Sequence, residues 1–264
     1  MGRSSAMRYL MMCSAVVLAG CAQHGAAQPA PGAPQGITLP PAATRSGTAM
    51  PPSASETPRS ELPPCGDIAS AATSPDCMLR SRDSAGLSFE VRHSGSGEHA
   101  VTAVTVLDPS GSTVQTIQEQ HVWSPGEPRL RDLDGDGRDE LIVPVYLATA
   151  NTRYAVHHAS GDATEFQRAG ELSGIGIDTS ADGYTIVTAR DGYAVWDVQF
   201  WQFVSDTLEP VVTAEVRLLD DGHGKVAGSR CSVVDSGGLS RTGLSLDQAT
   251  ERFCAEPAVV RVSR

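Results

Sequence analysis

The residues best suited to chemistry in this chain of 264 residues form one run, Asp132-Leu133-Asp134-Gly135-Asp136-Gly137-Arg138-Asp139-Glu140, which leads straight into Leu141-Ile142-Val143. Carboxylates at alternate positions, with glycines that allow a sharp bend, can turn their oxygens onto one hard cation, and calcium accepts such an all-oxygen shell. Asp132, Asp134 and Asp136 would supply carboxylates, Arg138 its carbonyl and Glu140 a further carboxylate. The twelfth position is Val143 instead of an acidic residue, and the residues that follow are β-branched, so the pattern is a calcium loop feeding a strand and not an EF-hand. The same residues would also serve a solvated acidic turn. Carboxylates this crowded repel one another unless a cation neutralises them, which favours the metal. A shell filled by the protein leaves little room for substrate, so the expected role is a staple for the fold.

Signals for catalysis are sparse. Asp235-Ser236-Gly237-Gly238 is similar to the nucleophile segment of trypsin-like proteases, but Val234 stands where that segment has Gly and no Ala-Ala-His-Cys segment accompanies it, so it is taken as a turn. His157 and His158 would point to opposite faces of a strand and make a poor metal pair. His93, His99, His121 and His223 stand singly among polar residues and are expected at the surface. No Gly-x-Ser-x-Gly, phosphate loop or dinucleotide fingerprint occurs. The chain is therefore expected not to be an enzyme, although two carboxylates at glycosidase spacing remain open in so acidic a sequence.

Of the elements that precede and position these residues, 1–20 is expected to be a lipoprotein signal peptide. Arg3 and Arg8 precede an apolar run from Tyr9 to Leu18, too short for a permanent span, and Leu18-Ala19-Gly20-Cys21 matches the bacterial lipobox. Cys21 would carry the lipid, and Ala22 after it points to the outer membrane, facing the periplasm. From residue 21 to 64 the composition is Pro, Ala, Gly, Ser and Thr, which cannot bury enough surface to offset ordering entropy, and a disordered tether is expected.

Residues 65–264, about 200 in number, suffice for one domain with a sizeable core. Short alternating apolar runs lie between Asp-Gly and similar turns: Leu87 to Val91, Val101 to Leu107, Val114 to Gln118, Leu141 to Leu147, Arg153 to His157, Tyr184 to Ala189, Ala194 to Phe203, Val211 to Leu218 and Ala258 to Val262. This spacing predicts an all-β domain with one short helix around Leu246 to Phe253. Cys65, Cys77, Cys231 and Cys254 allow three pairings in an oxidising compartment; Cys65 with Cys77 and Cys231 with Cys254 would each staple a terminal segment. A net charge of −11 argues against nucleic acid and favours a cationic partner, or simply keeps the surface soluble.

The run Asp132 to Val143, the strand to Leu147, the loop Ala148-Thr-Ala-Asn-Thr-Arg-Tyr154, Ala159-Ser-Gly-Asp, Glu171-Leu172-Ser173-Gly174 and Arg190-Asp-Gly-Tyr193 leading into Trp196 to Trp201 together resemble one family. Its members are periplasmic lipoproteins that act as immunity proteins of the bacteria-killing type IV secretion system and inhibit lysozyme-like peptidoglycan hydrolase effectors. The resemblance implies an irregular β-propeller-like domain of about five blades, one calcium ion, and a loop inserted into the active site of the effector. Carried over by position, that loop is Ala148 to Tyr154, with Tyr154 entering the cleft and Asn151, Thr152 and Arg153 as hydrogen-bonding neighbours. Tyr suits such a role, having a stiff apolar body and a hydroxyl for a carboxyl partner. Tyr154 could equally begin a strand and pack its ring inward. A calcium-stapled envelope scaffold or adhesion propeller is the alternative, but it would be expected to repeat the calcium motif, and Asp220-Asp221-Gly222-His223-Gly224 is at best a degenerate echo.

Overall fold

Period-two alternation builds most of this molecule, and the strand β3 (Ala100–Leu107) shows it plainly, with every second residue buried. The computed structural model describes residues 62–66, 75–121 and 126–263. The expected signal peptide, the lipidated Cys21 and the tether as far as residue 61 lie outside the described residues. Residues Glu56–Arg264 make one compact unit that holds every sheet and both disulfides.

The domain is mostly β, in three antiparallel sheets whose strands follow chain order. The first sheet joins β1 (Cys77–Arg80), β2 (Ser88–Ser94), β3 and β4 (Thr113–His121). The second joins β5 (Arg129–Arg131), β6 (Glu140–Leu147), β7 (Thr152–His158) and β8 (Gln167–Gly174). The third joins β9 (Gly176–Thr179), β10 (Thr185–Arg190), β11 (Val195–Val204), β12 (Thr207–Asp220) and β13 (Val226–Asp235). Among the described residues no helix is long and apolar enough to cross a membrane.

The second sheet is the middle layer. Leu141 and Val143 of β6 pack with Phe89, Val91, Val104 and Val106 of the first sheet, while Ile142 faces Val187 and Leu208 of the third. With both faces covered, the strand reads Glu-Leu-Ile-Val-Pro-Val and is buried along that run, apolar without alternation. The far face of the third sheet is closed by α1 (Leu246–Cys254) and α2 (Pro257–Val262), through Phe253, Ala258 and Val259 against Phe200 and Val212.

Helix α1 lies where the sequence places it, started by a capping box in which Ser245 and Gln248 bond each other's backbone amides. The strand expected at Ala258 to Val262 is instead α2. Its short apolar run carries no period of its own, and Pro257 at the first turn fixes the helical φ while leaving no amide unpaired. The disulfides are Cys65–Cys77 and Cys231–Cys254, the short-range pairs. The first ties the entry of the domain to β1, where Pro64 bridges Met78; the second ties α1 to β13.

Candidate functional site

The acidic run forms a tight turn between β5 and β6. Gly135 and Gly137 take positive φ values of 80° and 88°, which a side chain would strain. Asp132 accepts the N–H groups of Gly135 (2.7 Å) and Gly137 (3.0 Å), Asp134 that of Asp136 (3.2 Å), and Asp136 that of Arg138 (2.7 Å). One oxygen from each of Asp132, Asp134 and Asp136 lies within 4.8 Å of the others. Burial, and then the Asp136 carboxylate, push the Asp134 carboxyl above its ordinary value. A cation there would reverse that shift.

The turn is seated on the third sheet. Thr179 Oγ1 donates to the Asp132 carbonyl (2.8 Å) and Thr185 Oγ1 to the Leu133 carbonyl (2.9 Å). Gly183 lies so close that a Cβ there would be 2.4 Å from the Asp134 carbonyl oxygen.

Glu140 stands apart from the three aspartates. Its fully buried carboxylate accepts the Leu133 N–H (2.6 Å) and bonds His158 Nδ1 (3.0 Å). Burial raises this carboxyl to about 7, while the hydrogen bond to Glu140 raises His158. Glu140 therefore closes the turn from behind, and His158 stacks on Phe203. The Arg138 side chain is a clamp: it pairs with Asp83 (3.2 Å) and donates to the carbonyls of Gly161 and Ala163. Only its carbonyl is free in kind to serve a cation.

His157 and His158 do face opposite ways, His157 towards Glu119 of the first sheet (2.9 Å) and His158 towards Phe203 of the third. His121, expected at the surface, is buried, and His93 is half-buried; both sit on the inward face of their strands. Asp235 accepts the Gly237 N–H, so that segment is a turn.

The loop 148–151 caps the opposite end of β6. Eight strand residues put roughly 25 Å between it and the acidic turn, so a cation held in that turn would not brace its base directly. The direct brace is Asn151, whose side-chain amide bonds both the carbonyl (3.0 Å) and the N–H (2.9 Å) of Arg190 on the third sheet. Thr152 lies in β7, opposite Leu147 and Gly174. Arg153 is exposed, with its guanidinium 5.2 Å from the Tyr146 ring centre. Tyr154 begins no loop: it is half-buried in β7 and packs against the cluster of Leu133, Val156 and Leu172.

The aromatic that projects at this end is Tyr193, 98% exposed in the turn between β10 and β11. The sequence holds the signal, an aromatic directly after Asp191-Gly192, whereas the family resemblance, carried over by position, points to Tyr154. Leu147 and Ile175 add exposed apolar surface nearby, and Tyr146, Ala148, Ala150, Asn151, Arg153 and Ser173 line a shallow groove. Oxygens of Asp191, Asp197 and Glu215 gather beside the turn, and burial followed by the other two carboxylates raises Asp197. One end of the domain thus offers crowded carboxylates for a cation, and the other offers a braced, partly apolar, acidic loop surface.

No protein-family model, no curated protein and no solved structure matches this chain.

Proposed function

We propose that this chain is an immunity protein, a lipid-anchored lipoprotein of the outer membrane facing the periplasm. It would bind and inhibit a lysozyme-like peptidoglycan hydrolase effector of a type IV secretion system. Inhibition is steric, by loops placed in the active-site cleft of the effector, and no chemistry is performed by this chain. In this reading the three sheets are blades of an irregular propeller-like domain, and calcium held by Asp132, Asp134 and Asp136 staples the middle sheet to the third.

The observation that supports the reading is the braced loop end. Asn151 locks the 148–151 loop to Arg190 through both backbone groups, so two loops from two sheets are ordered before any partner arrives. Preordered loops lose little entropy on insertion. An aromatic anchor surrounded by adaptable polar groups is the composition that carries such interfaces, and the neighbouring Asp191, Asp197 and Glu215 suit a cationic enzyme. Tyr193 is the better anchor than Tyr154, because Tyr154 would have to leave its packing to reach a partner.

The test is hydrolysis of purified peptidoglycan by a lysozyme-like effector of the same organism, with and without residues 56–264 and with calcium present. Stoichiometric inhibition is expected, weakened at least tenfold by Tyr193→Ala. Absence of both inhibition and complex formation sinks the proposal and leaves the envelope-scaffold reading.

A further inference from the structure

We infer that a groove between the edge strands β1 and β5 binds the phosphate groups of an anionic lipid surface through Arg80, Arg82 and Arg129. The two strands are the outermost strands of different sheets, and each turns a leucine inward, Leu79 and Leu130, against the first core cluster. Alternation then sends the flanking Arg80, Arg129 and Arg131 outward, Arg82 follows just past the end of β1, and all four line one groove of about 700 Å³.

Their surroundings make this a site. In a chain of net charge −11, arginines find carboxylates easily, and Arg92, Arg138, Arg153, Arg168, Arg217 and Arg252 all do. Arg131 likewise holds Asp178 at 2.7 Å. The guanidinia of Arg80, Arg82 and Arg129 have no ion pair or hydrogen bond among the described residues, although acids line the same groove. Asp139 accepts the Arg82 backbone N–H, Asp132 accepts those of Gly135 and Gly137, and Glu127 interacts with His93. Three exposed guanidinia around one concavity, without a partner among the described residues, suit the fork geometry of phosphate oxygens.

The occupant follows from where the chain enters. Cys65 and Gly66 line the groove, and Pro63 and Cys65 pair with Met78 on its wall, so the segment read as a tether joins the domain here. The location of the bilayer rests on the lipoprotein reading; the binding itself does not. Arg82 also bonds Asp139 beside the acidic turn, which places the groove at the end of β6 opposite the braced loops. Headgroups held in the groove would leave Tyr193 and the 148–151 loop pointing away from the membrane.

Residues 56–264 carry the whole core and can be tested without the lipid and most of the tether. The experiment is co-sedimentation with phosphatidylglycerol–phosphatidylcholine vesicles and with phosphatidylcholine vesicles alone, each with and without inorganic phosphate. Binding to the anionic vesicles only is expected. The triple variant Arg80→Ser, Arg82→Ser, Arg129→Ser should lose on the order of a hundredfold, at roughly fivefold per basic residue, while Arg230→Ser, at an exposed position of β13, binds as the parent does. Equal binding to both vesicle types, or a triple variant as tight as the parent, overturns the inference. So does binding of free phosphate without binding of anionic vesicles. Failure of the immunity reading would appear separately, in the peptidoglycan assay.

Discussion

Replacing two of the three clustered aspartates should reverse sign with calcium. With ligand oxygens within 4.8 Å of one another, each carboxylate pair repels by about 3.5 kcal/mol at an effective permittivity near 20. Asp136 is exposed and Asp134 half-buried, so solvent screening reduces the net strain of the empty turn to about 1–2 kcal/mol. Asp134→Asn with Asp136→Asn keeps the side-chain oxygens that accept the Asp136 and Arg138 N–H groups but leaves only Asp132 of the three charged. In chelator the double variant should therefore melt at or above the parent. In calcium at about a hundred times its dissociation constant, the parent should gain about 2.7 kcal/mol. For a domain of this size that is roughly 5–10 °C in melting temperature. The variant should gain almost nothing. Thermal melts of residues 56–264 in chelator and in millimolar calcium read both effects. A parent whose melting temperature is the same in the two conditions refutes the metal argument outright.

Two further outcomes follow from the same packing. Gly183→Ala puts a Cβ 2.4 Å from the Asp134 carbonyl oxygen at a φ of +78°, and should lose about 1–3 kcal/mol of stability and weaken calcium binding by calorimetry. Gly135→Ala, whose nearest neighbour is 3.9 Å away, should show backbone strain alone. Burial would raise the Glu119 carboxyl, but hydrogen bonds from His157 and Arg168 outweigh it and hold the group below its ordinary 4.5. Its folded value is depressed, so its contribution is present above pH 4.5 and fades as pH falls through the lower folded value. Glu119→Gln should cost about 1–3 kcal/mol near pH 7, with the gap narrowing in melts below pH 4; a gap independent of pH would count against the assignment.

The chain's β class, the helix at Leu246–Cys254, both disulfides and the gathering of Asp132, Asp134 and Asp136 were legible because each has a local cause. Alternation, a capping box, short separations and Asp-Gly turns act within a few residues. What escaped depends on neighbours distant in sequence. Strand β8, with Ala169, Gly170 and Gly174 and few β-branched residues, is a strand because β7 offers it a ladder, with a register shift beside Val156. Glu140 reads as a ligand by spacing, yet the burial of His158 gives its carboxylate a different partner. Tyr154 and Tyr193 look alike in sequence; only the packing of the third sheet against the second decides that one ring is covered and the other bare.

The strand β6 explains why the two ends of the domain can be considered separately. Its residues from Glu140 to Val145 are buried, Leu141 and Val143 towards one sheet and Ile142 towards another, so neither a slip of register nor a bend is available without exposing a core. A rod held in this way transmits position but not small changes at its tip. Loss of calcium would loosen the seat of the turn on Thr179, Gly183 and Thr185, while the loop end keeps its own link between the sheets at Asn151. A metal held in the turn would therefore act on the loops through the stability of the whole domain, and below the melting temperature the surface that carries Tyr193 should retain its shape with the turn empty.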